Sequence, residues 1–428
     1  MRYVSTRDPS HSATLSDAVA RGIAPGGGLY VPESFPELSA DDFDPEASLA
    51  ETAERTLAPF FAADALAPHL TAIVREALSF PTPLRMLKER TAVLELFHGP
   101  TAAFKDYGAR FLAACLARIP SADPRPLTIL VATSGDTGGA VAAAVHGRPG
   151  MEVVVLYPRG LVSPRQEKQL TCWGGNVRAL AVRGDFDACQ RLAKEAFADA
   201  ELARSRRLTS ANSINVARLL AQMGYFAWSA LRYRTETGSD AGFIVPTGNV
   251  GNATAGLWAR RCGLPVREVV MATNANRALG DFVAGGDWRP GTPTVATLAT
   301  AMDVGRPSNL ERVVHLAGGE DAARKAVRTF AVTDDEIRDE IGRGEAEWGE
   351  TWDPHTATAA AVRRKIGGED WILVATAHPA KFEGVVEPLV GHPVPVPPDL
   401  AALLERPSHA AEIDATLAAL KRELAAGG

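Results

Sequence analysis

The chain has 428 residues, of which 46% are hydrophobic and 22% charged, a composition of ordinary folded proteins that excludes disordered and fibrous classes. At this length a single core stops growing, so two or more packed subdomains with a cleft between them are expected. With 45 basic and 51 acidic residues the formal charge is −6, and no basic run stands out. That argues against nucleic acid or an anionic membrane as partner and leaves small molecules.

The opening MRYVSTRDPSHS has no apolar stretch behind its charges, and no apolar run reaches membrane-helix length, so a cytoplasmic protein is expected. Residues 12 to 80 alternate short helical patterns with Pro and Gly, which predicts a helical N-terminal subdomain. From residue 127 the character changes. LTILVAT (127–133) is a continuous apolar run followed by SGDTGG and an alanine-rich helix, and EVVVLY (152–157) and VRALAV (177–182) repeat the strand signal before the helical FDACQRLAKEAFADA. Alternating β and α predicts a doubly wound parallel sheet. After the helical INVARLLAQMGYFAWSALRY, the run GFIVPTGNVGNATAGLWARRCG restarts the strand, turn and helix pattern, as a second α/β domain would. WILVATAH (371–378) is a further buried strand, and Ile413, Leu417, Leu420 and Leu424 pattern a helical tail. Cys115, Cys172, Cys189 and Cys262 show no CxxC spacing and read as buried hydrophobes in a reducing compartment; with no HExxH or Cys/His cluster, no metal site is expected.

Lysine is scarce, eight against thirty-seven arginines. Lys88, Lys168, Lys194, Lys325, Lys365 and Lys421 sit among charged neighbours; Lys105 in FHGPTAAFKDYGARF and Lys381 in HPAKF sit in apolar surroundings. Desolvation lowers an ammonium's pKa and frees the amine to attack an aldehyde, although a lysine with a buried stem and solvated head fits the same pattern. TGNVGN (247–252) follows a strand and opens a helix, so its amides are candidates to cradle a phosphate; an ordinary Gly/Asn turn is the alternative. SGDTGG (134–139) has the same setting, but Asp136 would repel a phosphate, which suits a substrate-side loop. Asn212 and Ser213 of NSINVAR stand at a helix start as caps or as part of an anion clamp with Arg218, about a turn inside. Thr376 follows a strand, where a hydroxyl can point into a cleft, although strand-end threonines are common; His98, Asp106 and Asp353 carry no signal alone.

Together these segments resemble the threonine synthases, pyridoxal-phosphate enzymes of the tryptophan-synthase-β-like group, in the longer form found in many bacteria and fungi. The resemblance runs from TLSDAVARGIAPGGGLYVPE through FHGPTAAFKD, TSGDTGGA, NSINVAR, PTGNVGN, MDVGRPSN and DPHTATA to ATAHPAKF. It implies two doubly wound domains of the type II pyridoxal-phosphate fold. The expected division is a helical N-terminal subdomain (1–82), a large cofactor domain (83–107 with 234–428) and a small α/β domain (108–233). It implies Lys105 as the cofactor lysine and catalytic amine, Gly248, Asn249, Val250, Gly251 and Asn252 around the cofactor phosphate, and Thr376 at the pyridine nitrogen. Ser134, Gly135, Asp136, Thr137, Asn212, Ser213 and Arg218 are implied to bind substrate, with Arg218 on its phosphate. Lys381 is a motif lysine without a role. Ala103 and Arg306 depart from the family's usual leucine and asparagine. The implied reaction converts O-phospho-L-homoserine and water to L-threonine and phosphate in a monomer or homodimer. A phospholyase or dehydratase giving 2-oxobutyrate is the nearest rival, and a non-catalytic phosphate-binding protein the rival from another class.

Overall fold

The computed structural model describes residues 1–133, 135–289 and 293–426. Its apolar runs form two sheets. The larger has six strands in the order Arg328–Ala331, Val266–Thr273, Ala241–Pro246, Trp371–Ala375, Thr91–Glu95 and Leu84–Met86, all parallel except the last pair. Its three central strands are buried along their whole length, since helices cover both faces. Alternate residues therefore enter different cores: Ile372 and Val374 join one cluster, Leu373 and Ala375 the other.

The smaller sheet has five parallel strands in the order Ala411–Asp414, Val177–Arg183, Met151–Pro158, Leu127–Ala132 and Arg207–Ser210. The chain moves outward from Leu127–Ala132 and then returns to its other side, so a crevice opens beyond the carboxyl ends of Leu127–Ala132 and Arg207–Ser210. The doubly wound α/β expectation holds in both sheets.

The N-terminal region carries the expected helices, Leu15–Arg21, Leu49–Phe61 and Leu70–Ala77, and also an antiparallel sheet of Ser12–Ala13, Tyr3–Ser5 and Tyr30–Pro32. Strands of two and three residues have no readable period, which is why helical patterns alone were visible. The 22-residue helix Val216–Thr237 packs against Leu49–Phe61, Lys105–Leu116 and Gly251–Arg261, and so joins the N-terminal region to the large sheet. It is capped by the Asn215 side chain, which accepts from Ala217 N at 3.2 Å. Asn212 and Ser213 precede the helix rather than cap it, and Arg218 lies in its first turn.

The tail differs from expectation. Ile413 belongs to a strand, paired with Val182 of the small sheet, and only Leu417–Ala426 is helical. Residues 411–426 therefore extend the small sheet rather than the large domain, burying Leu420 and Leu424 against Val182 and Leu192. All four cysteines are buried and unpaired, and no described helix is long and apolar enough to cross a membrane. Because Leu420 is fully buried in this satellite core, Leu420→Ala is expected to lower unfolding free energy by about 2–5 kcal/mol while cofactor content stays unchanged. Urea titration with parallel absorbance checks this; an unchanged midpoint would mean that the tail helix does not contribute to folding.

Candidate active site

Strands Thr91–Glu95, Trp371–Ala375 and Ala241–Pro246 are neighbours, so the segments that follow them emerge side by side at the carboxyl edge of the large sheet. Two of these segments pair. Leu96 N donates to Ala375 O (3.0 Å), Phe104 N to Thr376 O (2.9 Å) and His378 N to Ala102 O (3.0 Å). Within the first segment the Asp106 carboxylate accepts from Thr101 N (2.8 Å) and Thr101 Oγ1 (2.7 Å), folding the loop onto the helix Lys105–Leu116. Burial pushes Asp106 up to about 6 in spite of these bonds. Gly99 is required here, since a Cβ would lie 2.5 Å from Asp106 Oδ2.

Lys105 is the first residue of that helix, half-buried, with Nζ 4.0 Å from the centre of the Phe104 ring. Burial brings its pKa down to about 7; the nearby Arg218 and Lys381 cations act in the same direction, and Asp136 opposes them. A large share of the amine is thus neutral near pH 7. Lys381 is fully buried and fully engaged: Nζ meets Asp136 Oδ1 at 2.7 Å and donates to Thr101 O at 2.8 Å. Asp136 opens the helix Asp136–Val145 beneath the small sheet. Burial alone would raise its pKa, but Lys381 and a 2.8 Å bond from Gln166 Nε2 hold the carboxyl below its ordinary value.

The third segment, 247–250, leads into the helix Gly251–Arg261 through Val250, which takes a left-handed φ of 64°, rare for a β-branched residue. A Cβ on Gly248 would sit 2.7 Å from Met302 Cα, and one on Gly251 3.3 Å from Ser213 Cβ. The loop is tied by Asn249, whose Nδ2 donates to Ser213 Oγ (2.6 Å) and whose Oδ1 accepts from Ser308 N (2.5 Å). The first amides of this helix have no partner within it and are available to an anion.

Arg218 reaches the same cleft, 1% exposed, its Nη1 donating to Ala211 O at 2.7 Å. Its Nε has no partner, no carboxylate among the described residues bridges it, and burial lowers its pKa to about 10. Gln222 Oε1 and Asn252 Nδ2, also in the cleft lining, are likewise buried without partners. On the opposite wall His355 receives Ala301 N at Nε2 (3.1 Å) and bonds Asp353 Oδ1 through Nδ1 (2.8 Å). An amide only donates, so Nε2 accepts from Ala301 and Nδ1 is the ring atom that faces Asp353.

Lys105, Asp136, Ser213, Arg218, Gly248, Asn249, Val250, Gly251, Asn252 and Thr376 thus line one cleft. Gly135 (φ 144°) and Thr137 flank Asp136, while Asn212 turns its amide to Ala132 O at 2.8 Å; none of the three lines the space around Lys105. Ser134 lies outside the described residues. The motifs MDVGRPSN and DPHTATA gave no named site residue in the sequence, yet they supply Met302, Asn309 and His355; Gln222, one helical turn past Arg218, was also missed. An acyclic aldehyde would satisfy little of this donor set. Glycines admitting a close backbone approach at a helix start, beside a lysine amine brought down to about 7, fit pyridoxal phosphate, an aldehyde bearing a phosphate, and leave the buried Arg218 guanidinium for a second anion.

Residues 78–376 match the family of pyridoxal-phosphate dependent enzymes, 2–78 the threonine synthase N terminus and 356–423 the threonine synthase C-terminal region. The chain is 41% identical over 426 residues to threonine synthase of Escherichia coli (strain K12) and 40% identical over 428 residues to that of Serratia marcescens, covering 99% of each chain in both comparisons. The crystal structure of threonine synthase from Escherichia coli superposes with a TM-score of 0.93 at 39% identity, each chain covered completely. A pyridoxal-phosphate-bound threonine synthase from Brucella melitensis superposes at 0.91 and 33% identity, covering 100% of this chain and 99% of that one. With the match continuous from end to end, the chain belongs to the threonine synthase family of pyridoxal-phosphate-dependent lyases.

Proposed function

We propose that this cleft converts O-phospho-L-homoserine and water to L-threonine and inorganic phosphate, with Lys105 as the amine that carries the cofactor and moves protons. The observation that carries this reading is the pairing, in one cleft, of a lysine brought to about 7 with a buried arginine that has no carboxylate. Residues 248–252 would hold the cofactor phosphate through the amides at the start of Gly251–Arg261, and Thr376 would offer its hydroxyl to the pyridine nitrogen. Pyridoxal phosphate, when bound, supplies the electron sink that makes protons on Cα and Cβ removable and lets phosphate leave from Cγ.

The remaining work falls to side chains and backbone. Arg218, with Ser213 beside it, holds the substrate phosphate before and after the Cγ–O bond breaks. Asn212, Gly135 and Thr137, which follow the carboxyl ends of Arg207–Ser210 and Leu127–Ala132, would receive the substrate carboxylate. Lys105, a free amine held within reach, takes the protons from Cα and Cβ as phosphate leaves with the electron pair of the Cγ–O bond; a water oxygen then bonds Cβ and gives up a proton, and of the three protons released one returns to Cα, one goes to Cγ and one leaves with the phosphate. The substrate's carbon skeleton is conserved and one phosphate leaves for each water added.

Borohydride reduction of the purified yellow protein is expected to fix the cofactor on the peptide containing Lys105; fixation on Lys381 would overturn the assignment. Arg218→Leu should weaken substrate binding by about 2–5 kcal/mol with cofactor content nearly unchanged. If that variant instead loses its visible absorbance and keeps substrate affinity, the two phosphate positions are exchanged. Incubation with O-phospho-L-homoserine should yield threonine and phosphate in equal amounts with little 2-oxobutyrate. Predominant 2-oxobutyrate would make the enzyme a phospholyase, and absence of phosphate release would remove the proposed substrate.

A further inference from the structure

Lys381 takes no part in the chemistry described above, yet it is 0% exposed and its ammonium is shared between two subdomains. One partner is Asp136 Oδ1 (2.7 Å), at the start of the helix Asp136–Val145 on the small sheet; the other is Thr101 O (2.8 Å), in the loop that ends at Lys105. The Thr101 amide and hydroxyl in turn bond Asp106, the residue after Lys105. A single ammonium therefore connects the substrate-side turn to the first turn of the Lys105 helix. Asp136 and Lys105 also line the same cleft. The Asp136 carboxylate already favours the charged form of Lys105 across this cleft, and without Lys381 it would act on that amine unopposed by its own cation.

We propose that Lys381 is a positioning residue that neutralises Asp136 and anchors the Thr101 loop, so that the Asp136 carboxylate does not pair with the Lys105 amine. The inference rests on Lys105 being the reactive amine, as proposed above. The charged and titratable groups around that amine are few. Asp106 on its own helix is turned back onto Thr101; Arg218 comes from Val216–Thr237, Asp136 from the small-sheet helix, Lys381 from Pro379–Phe382 and His355, held by Asp353, from Pro354–Lys365. Arg218 and Lys381 favour the neutral amine and Asp136 the ammonium. Removing either member of the Lys381–Asp136 pair therefore moves Lys105 in opposite directions, which a purely structural role would not do.

The test is the pH dependence of trace acetylation of the full-length chain stripped of cofactor, read by mass spectrometry on the Lys105 peptide, with the rate of pyridoxal phosphate uptake, read from visible absorbance, as a second measure. Lys381→Met is expected to raise the Lys105 midpoint by about one pH unit or more, Asp136→Asn to lower it, and the double variant to return it close to the starting value. Lys381→Arg, which keeps the charge, should leave it nearly in place. A Lys381→Met midpoint that does not move, with only the melting temperature reduced, overturns the proposal. Should Lys381→Met fail to fold, Asp136→Asn decides alone, and a midpoint that stays or rises overturns it. If Lys105 in the unaltered chain shows no titration near neutrality, the assignment of Lys105 itself fails, a different result from the loss of the Lys381 role alone.

Discussion

The hydrogen bonds from Phe104 N to Thr376 O and from His378 N to Ala102 O join the loop ending at Lys105 to the loop ending at Lys381, and the placement of both amines follows from them. The two loops leave neighbouring parallel strands, so their starting points are set by the register that pairs Ala375 with Glu95. Their meeting needs Ala102 at a φ of 53°, a conformation that a non-glycine residue holds only when its surroundings impose it. Two contacts impose it: Asp106 grips Thr101 on one side, and the His378 amide grips the Ala102 carbonyl on the other. A loose 101–104 loop would release Lys105 from the cleft and Lys381 from its carbonyl together.

Two fully buried arginines show how the same fold treats structural and functional charge differently. Arg312 donates to the carbonyls of Tyr30, Ser213 and Ile214 and to Asn309 Oδ1, so its guanidinium is spent on fastening the Ser213 turn to the N-terminal sheet. Arg218, two residues into the adjoining helix, has one carbonyl partner and an Nε with none. Burial lowers both, Arg312 to about 9 and Arg218 to about 10, yet only the second faces a space that an anion can enter. An unmet buried donor costs stability, and its presence at a cleft is consistent with a ligand as the missing partner.

Much of the fold was legible because its central strands are buried on both faces and read as unbroken apolar runs, and the Gly-rich turns after them marked where ligands approach. Lys105 and Lys381 were alike in the sequence, since apolar neighbours report burial and say nothing about partners; the contacts of Lys381 with Asp136 at 2.7 Å and with Thr101 O at 2.8 Å separate them. Asp136 itself read as an obstacle to phosphate, and that holds only for a carboxylate without its own cation. The strand Ala411–Asp414 escaped notice because its partner lies more than two hundred residues earlier, a pairing that no local period reveals. His355 and Gln222 escaped for another reason: a histidine fixed by a backbone amide and a glutamine facing inward from a long helix have no local pattern of their own.

The cleft's charge balance also bears on when Lys105 is basic. Before substrate arrives, burial and the Arg218 and Lys381 cations favour the neutral amine, the form that attacks an aldehyde. Taking a proton from Cα calls for the opposite tendency, a stronger base. On the proposed reading the substrate phosphate lies against Arg218, and its negative charge offsets the repulsion that the guanidinium exerts on Lys105. Lys381 remains neutralised by Asp136 throughout, so the change at Arg218 is not diluted by a second rearranging charge. The same amine is then a nucleophile in the empty cleft and a better proton acceptor in the filled one, with no conformational switch needed between the two states.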